Sequence, residues 1–302
     1  MIMKMLPIPP FDFDLSASIF AEGDKRFQRY ETGRFWQVLR YNGRLLLASI
    51  RSIGTVEEPE LLISFGDDKV FANGDKGKLE EIIGTLFNLK INLEIFYKAM
   101  KGDKIMSTLT SRLRGLKSPS TTTAYEALVY AIIEQQISLR AARSIQKKLI
   151  EAFGEILEFD GNDYYAFPTP QILVSKSIDQ LRDCGLSGRK AEYILGVSRL
   201  IVNGLDLEGI KCWRDDNQVI EELCKIRGVG VWTAEMAMIR GMQRFDSIPA
   251  DDLGLRRCKS NYYCDSRMIT GREARQIAEF WRGWRGLASF YLITAERPRI
   301  TV

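Results

Sequence analysis

Leu223-Cys224-Lys225-Ile226-Arg227-Gly228-Val229-Gly230-Val231-Trp232-Thr233-Ala234 joins the end of a short helical pattern to a longer one that runs to Arg240. Glycine accepts positive φ and lets a neighbouring group come close where a Cβ would stand. The amides at the start of the second helix, aided by the local dipole, can hold one phosphate oxygen. Such a grip positions a nucleic acid without reading its bases. The same residues also suit a plain tight connection between helices. The turn is not a dinucleotide fingerprint, because no strand precedes it and a third glycine is missing. Nor does it close on Gly-Lys-Ser/Thr as a Walker loop does.

Working outward, an upstream segment has the same grammar: Leu181-Arg182-Asp183-Cys184-Gly185-Leu186-Ser187-Gly188-Arg189-Lys190-Ala191 leads into a helix to Leu200. Before it, Thr121 to Thr123 offer a cap to a helix over Ala124 to Gln136, and Ser138 can cap the next, Leu139 to Phe153. Pro168 and Pro170 mark a loop with a helix near 169–174, and Ser177 to Cys184 forms another short one. After the turn, Thr270 to Trp281 and Trp284 to Ile293 complete the helical part. The first hundred residues differ: they read as a small sheet backed by one or two helices. Phe35 to Arg40 and Leu45 to Ile50 flank Tyr41-Asn42-Gly43-Arg44, in which Asn-Gly takes the positive-φ positions of a hairpin. Leu61 to Phe65 and Val70-Phe71 are further strand signals, and Glu80 to Phe87 reads as a helix. The fold class is α+β.

The 302 residues contain no histidine, which excludes imidazole-ligated zinc and every histidine-dependent triad. Acid–base work must fall to carboxylates, lysines, tyrosines or cysteines. The five cysteines, Cys184, Cys212, Cys224, Cys258 and Cys264, are dispersed and read as reduced thiols, too few after Cys258 for an iron–sulfur loop. Net charge is only +4, yet residues 223–302 hold 14 Lys/Arg against 8 Asp/Glu, ending with Arg297 and Arg299. All of the excess positive charge therefore sits behind the glycine turn. No signal peptide and no run of eighteen apolar residues is present, so we expect a cytoplasmic or nucleoid-associated protein with no membrane partner. No feature predicts an oligomer, and a monomer is expected.

About twenty residues past the turn, Pro249-Ala250-Asp251-Asp252 enters the next helix. One acid of such a pair is expected to serve as a helix cap, and we assign that to Asp251. The other, Asp252, can stabilise a positively charged sugar and orient water.

Taken in order, Gln135-Gln136-Ile137-Ser138, Arg227 to Ala234 and Pro249 to Asp252 resemble the helix-hairpin-helix DNA glycosylase superfamily, and within it the 3-methyladenine DNA glycosylase II (AlkA-like) branch. The likeness extends to Phe11-Asp12-Phe13-Asp14, to Gly185 to Ala191 and to Trp281 to Arg285. It implies an N-terminal antiparallel sheet domain (1–100), a helical domain with the hairpin (121–245), and a second helical domain (101–120 with 246–302) carrying the catalytic aspartate, Asp252. Ile226, Arg227, Gly228, Val229, Gly230 and Thr233 fall on the DNA-anchoring element. Main-chain carbonyls of Ile226 and Gly228 there would hold a structural sodium or potassium ion, and no other cofactor is required. Where bifunctional relatives place lysine in Gly-x-Gly-x-Lys, this chain has Trp232, which cannot form a Schiff base but can stack on a flat base.

The implied activity is monofunctional hydrolysis of the N-glycosidic bond of flipped-out alkylated purines, of the 3-methyladenine and 7-methylguanine type, in double-stranded DNA. Trp232 is the expected aromatic face for a cationic base. Tyr125, Gln136, Met236, Trp281 and Trp284 are its expected pocket neighbours, and Leu116 is the expected wedge into the duplex. Competing readings are a bifunctional 8-oxoguanine glycosylase/lyase, a non-catalytic helix-hairpin-helix DNA-binding protein and a protein–protein scaffold.

Overall fold

The computed structural model describes residues 2–21, 23–66 and 75–297, so Val70-Phe71 and Arg299 lie outside the described residues. The chain opens with strand β1 (Ile2–Met5) and helix α1 (Phe13–Phe20). Strands β2 (Gln28–Glu31), β3 (Arg34–Tyr41), β4 (Arg44–Ser52) and β5 (Leu61–Phe65) follow, then helix α2 (Asp75–Leu86). All five strands pair antiparallel, in the order β1-β5-β4-β3-β2. The β3–β4 turn forms as its residues dictate, with Asn42 at φ 46° and Gly43 at φ 73°. Phe35, Leu39, Ile50 and Ile63 point to one face and pack with Leu79, Ile83 and Phe87.

Two helical bodies are built on this sheet. Helices α3 (Leu93–Met100) and α4 (Lys104–Arg112) begin the second body before the chain crosses to the first. There it forms α5 (Ala124–Glu134), α6 (Leu139–Phe153), strands β6 (Glu155–Phe159) and β7 (Asn162–Ala166), then α7 (Pro170–Val174), α8 (Ile178–Asp183) and α9 (Gly188–Val202). Helices α10 (Leu207–Lys211), α11 (Asp216–Cys224) and α12 (Val231–Gly241) finish the first body; α13 (Leu253–Tyr263), α14 (Gly271–Ala278) and α15 (Arg285–Ala295) finish the second. The caps act as expected: Thr123 accepts from Glu126 N at the start of α5, and Ser138 from Ala141 N at the start of α6.

Each body has its own core, Leu128, Ile132, Leu195 and Leu223 in the first, Phe96, Leu109, Leu255 and Tyr291 in the second. Helix α3 packs into the second body through Phe96 and Met100, so the sheet domain ends before residue 93 rather than at 100. The β6–β7 hairpin, absent from the sequence reading, covers the other face of the sheet, where Tyr164 and Ala166 meet Val38 and Leu47. Lys117 ties the crossing segment to the sheet domain: its Nζ donates to the carbonyls of Ile8, Leu89 and Ile91 at 2.7, 2.9 and 3.0 Å. Burial pushes this amine down to about 7.

Candidate nucleic-acid interface and active site

Ile226 and Val229 are buried in the first body's core and root the hairpin there. Between them Gly228 adopts φ +89°, and a Cβ at this position would lie 2.1 Å from Cγ of Tyr193 on α9. Only glycine fits. Gly230 is different. It is extended at φ −98°, exposed, and has nothing within 4 Å of where a Cβ would stand. Positive φ is thus needed at Gly228 alone, and openness at Gly230. No side chain among the described residues caps α12, which leaves the first amides of the helix without a side-chain acceptor.

The turn is braced from behind. Gln135 donates through Nε2 to the Gly228 carbonyl and to Thr233 Oγ1, both at 2.9 Å. Lys190, in the upstream segment of like grammar, donates to the carbonyls of Ile133 and Gln135 at 2.8 and 2.6 Å. An ammonium at the C-terminal end of α5 suits the helix dipole, while burial lowers its pKa. Arg227 pairs with Glu192 at 3.2 Å. The two glycine segments are therefore one assembly, with α9 supporting the hairpin and the end of α5. That support holds Gln136 exposed, in the left-handed region at φ 55°.

Asp252 stands at the start of α13 in the other body, on a turn anchored by buried Ile248 and Ala250. The cap is Asp252, not Asp251 as the sequence reading had it. One oxygen of Asp252 accepts from Leu255 N at 2.8 Å. Its second oxygen has no protein partner among the described residues. Asp251 is exposed and rests against Gly271 at the start of α14, where a Cβ would come 1.9 Å from its Oδ1.

Trp232 is half-buried on α12, and Met236, one turn on, is buried beside it. The residues next to each key position are exposed aliphatics: Val231 (51%) after Gly230, Leu253 (76%) after Asp252, and Leu139 (52%) after Ser138.

Four expected site residues belong to the cores instead. Leu116 is 0% exposed and packs in the second body, so it is no wedge. Tyr125 is buried in the first body, its hydroxyl bonded to Ser198 at 2.7 Å. Trp281 lies under the ammonium of Lys259 at 4.7 Å and donates to Asp103 at 3.0 Å. Trp284 packs against Phe96. Two clefts, of about 430 and 600 Å³, lie beside the sheet, and neither is lined by Asp252 or Trp232. Among the described residues no group of three His, Cys, Asp or Glu side chains could hold a metal ion.

The sequence reading missed two ion pairs that lie around this surface. Arg240 reaches both oxygens of Glu134 at 2.7 and 2.6 Å, tying α12 to α5. Glu235, buried on α12, pairs with Arg275 of α14 at 2.9 Å. Desolvation pushes Glu235 up to about 7 despite the opposing pull of Arg275.

Comparison with known proteins places this geometry. Residues 129–283 match the family described as HhH-GPD superfamily base excision DNA repair protein. The chain is 29% identical over 250 residues to the DNA-3-methyladenine glycosylase of Bacillus subtilis (strain 168), covering 82% of both chains. It superposes on the 3-methyladenine DNA-glycosylase from Archaeoglobus fulgidus with a TM-score of 0.86 and 27% identity, over 98% of each chain. The same fold is seen in a Clostridium acetobutylicum 8-oxoguanine glycosylase/lyase bound to double-stranded DNA, at a TM-score of 0.76, 21% identity, and 99% and 98% coverage. With the family match spanning the hairpin, its bracing helices and the acid pair, the chain belongs to the HhH-GPD superfamily of base excision DNA repair proteins.

Proposed function

We propose that this protein is a monofunctional DNA glycosylase that hydrolyses the N-glycosidic bond of alkylated purines, 3-methyladenine and 7-methylguanine among them, in double-stranded DNA. The observation that carries the reading is the carboxylate of Asp252 at the start of α13, one oxygen spent on Leu255 N and the other without a protein partner among the described residues. The names of the relatives support the substrate class. In this scheme the uncapped start of α12 receives a phosphate, and Arg227 and the hairpin backbone hold the strand; Thr233, expected there too, is buried and accepts from Gln135, so it braces the turn instead. Gln136, exposed on its left-handed turn, takes the wedge role first expected of Leu116.

The flipped base rests on Trp232 with Met236 behind it. As the C1′–N bond breaks, its electron pair leaves with the base, and Asp252 stabilises the cationic sugar. Water adds its oxygen to C1′ and gives up a proton, which Asp252 accepts and passes to solvent. The carbonyls of Ile226 and Gly228 each accept one hydrogen bond, from Val229 N and from Gln135, and each keeps a lone pair. They fit a sodium or potassium ion, whose charge would offset a phosphate. We place the enzyme with the chromosomal DNA of the cytoplasm, acting as a monomer.

The test is release of free base from duplexes carrying one defined lesion, alongside Asp252→Asn. Asparagine also caps a helix, so stability stays within about 1 kcal/mol. Base release falls by about 10²-fold or more while DNA affinity holds. Unchanged release by Asp252→Asn refutes the assignment. Borohydride trapping on lesion DNA separates this reading from the lyase one: with Trp232 at the lysine position, no covalent adduct forms.

A further inference from the structure

Glu235 stands on the hairpin helix one residue short of a full turn past Trp232, and its side chain is 4% exposed. Its partner Arg275 belongs to α14 in the opposite body, so the pair bolts the two helical bodies together through the seam. Four residues earlier on α14, Gly271 supports Asp251, the neighbour of Asp252. One short helix therefore meets both elements: Arg275 bonds to Glu235 of α12, and Gly271 lies close against Asp251, beside Asp252.

The arrangement is poor as a stability device. Four groups face Glu235 from the elements around it: Arg275 of α14, Asp251 of the acid turn, Arg285 of α15 and Cys224 of α11. Burial dominates, and the carboxyl is pushed from 4.5 up to about 7. A carboxyl whose folded value lies above its unfolded one loses stability as pH climbs through that interval. A buried pair of this kind is often matched or bettered by neutral side chains. Its place across the seam, between helices of different bodies, points to a role in geometry.

We propose that Glu235 and Arg275 are a positioning pair that sets the spacing between Trp232 and Asp252, so that a nucleotide held by the hairpin offers its sugar to the open oxygen of Asp252. The proposal rests on the reading of Asp252 given above. Neither residue touches the reacting atoms.

Single-turnover base release from a defined 7-methylguanine duplex, DNA affinity by fluorescence anisotropy and thermal melting are measured for wild type, Glu235→Gln and Arg275→Lys between pH 5.5 and 8.5. In wild type the rate rises with pH through about 7 as Glu235 ionises. In Glu235→Gln the rate falls by about tenfold or more, as small misplacements of reacting groups do, and that pH step disappears. Affinity stays within about twofold, and the melting temperature at pH 8 equals or exceeds that of wild type. Arg275→Lys keeps the charge and recovers part of the rate. The proposal is overturned if Glu235→Gln keeps the wild-type rate and profile. It is equally overturned if rate, affinity and melting temperature fall together in both variants, since that pattern is structural. Wild-type protein that releases no base overturns the reading of Asp252 and the pair's role with it; wild-type release beside an unchanged Glu235→Gln rate overturns the pair alone.

Discussion

Alanine at the two hairpin glycines separates folding from DNA binding. At Gly228 a Cβ meets Cγ, Cδ2 and Cδ1 of Tyr193 at 2.1, 2.3 and 2.5 Å. Ordinary carbon contacts start near about 3.5 Å, so ring or turn must move by more than about 1 Å. Overpacking of that kind costs about 1–3 kcal/mol. The φ of +89° adds about 1–2 kcal/mol for an L side chain. Gly228→Ala therefore loses about 2–5 kcal/mol, a large share of the stability of a protein. Gly230→Ala meets no atom and needs no unusual φ. It gives up only the cap preference of glycine over alanine, about 0.5–1 kcal/mol. The new methyl does, however, stand where the proposed reading brings a phosphate to the start of α12. Losing one hydrogen bond to a charged group costs about 1.5–3 kcal/mol, or about 10- to 150-fold in affinity. Urea unfolding gives the first quantity, and anisotropy with a short duplex at fixed salt gives the second. Tyr193→Ala in the Gly228→Ala background should return the overpacking part and leave the backbone part. The reasoning is refuted if Gly230→Ala binds DNA like wild type, or if Gly228→Ala is no less stable than Gly230→Ala.

Two further substitutions probe the braces. Lys190→Met removes both hydrogen bonds to the end of α5 and should weaken DNA binding by about tenfold through the loosened Gln135–Gln136 turn, read by the same anisotropy assay. Lys117→Met strands three carbonyls and lowers the urea midpoint. The buried amine sits at about 7 in the fold and near 10.5 unfolded, so the unfolded chain binds more protons in between and wild-type stability rises with pH there. The deficit of Lys117→Met is consequently wider at pH 9 than at pH 7, measured as paired urea midpoints.

Local chemistry made much of the fold legible. Asn42-Gly43 announces a hairpin because few other pairs take two positive φ values, and Thr123 and Ser138 announce helix starts because their oxygens satisfy otherwise orphaned amides. The β6–β7 hairpin carried the same kind of signal in Asp160-Gly161, at φ 49° and 70°, but its strands are only five residues each and half-exposed. The site was harder. Leu116, Tyr125, Trp281 and Trp284 are apolar or aromatic residues beside the right elements, and a sequence does not say which side of a helix faces the core. Trp281 turned inward because Lys259 and Asp103 wait for it there, contacts made with residues 22 and 178 positions away. Glu235 and Arg275, 40 residues apart, leave no local trace at all.

The site divides its labour between two helix starts of opposite character. Helix α12 begins at a glycine with no side-chain cap, which in the proposed reading leaves its amides for an anion; helix α13 begins at Asp252, whose first oxygen caps the helix and whose second, in that reading, serves the reaction. Each start is rooted in the core of a different body, Val229 in one and Ile248 in the other. In the proposed reading grip and chemistry are thus rooted in different cores, and the Glu235–Arg275 pair crosses from one body to the other. A change confined to either core alters one function and spares the other, whereas a change at the seam spares both local geometries and still uncouples them. On that reading affinity is the sensitive quantity for Gly230 and rate the sensitive one for Asp252, and Glu235, paired across the seam with Arg275, acts on the rate through position alone.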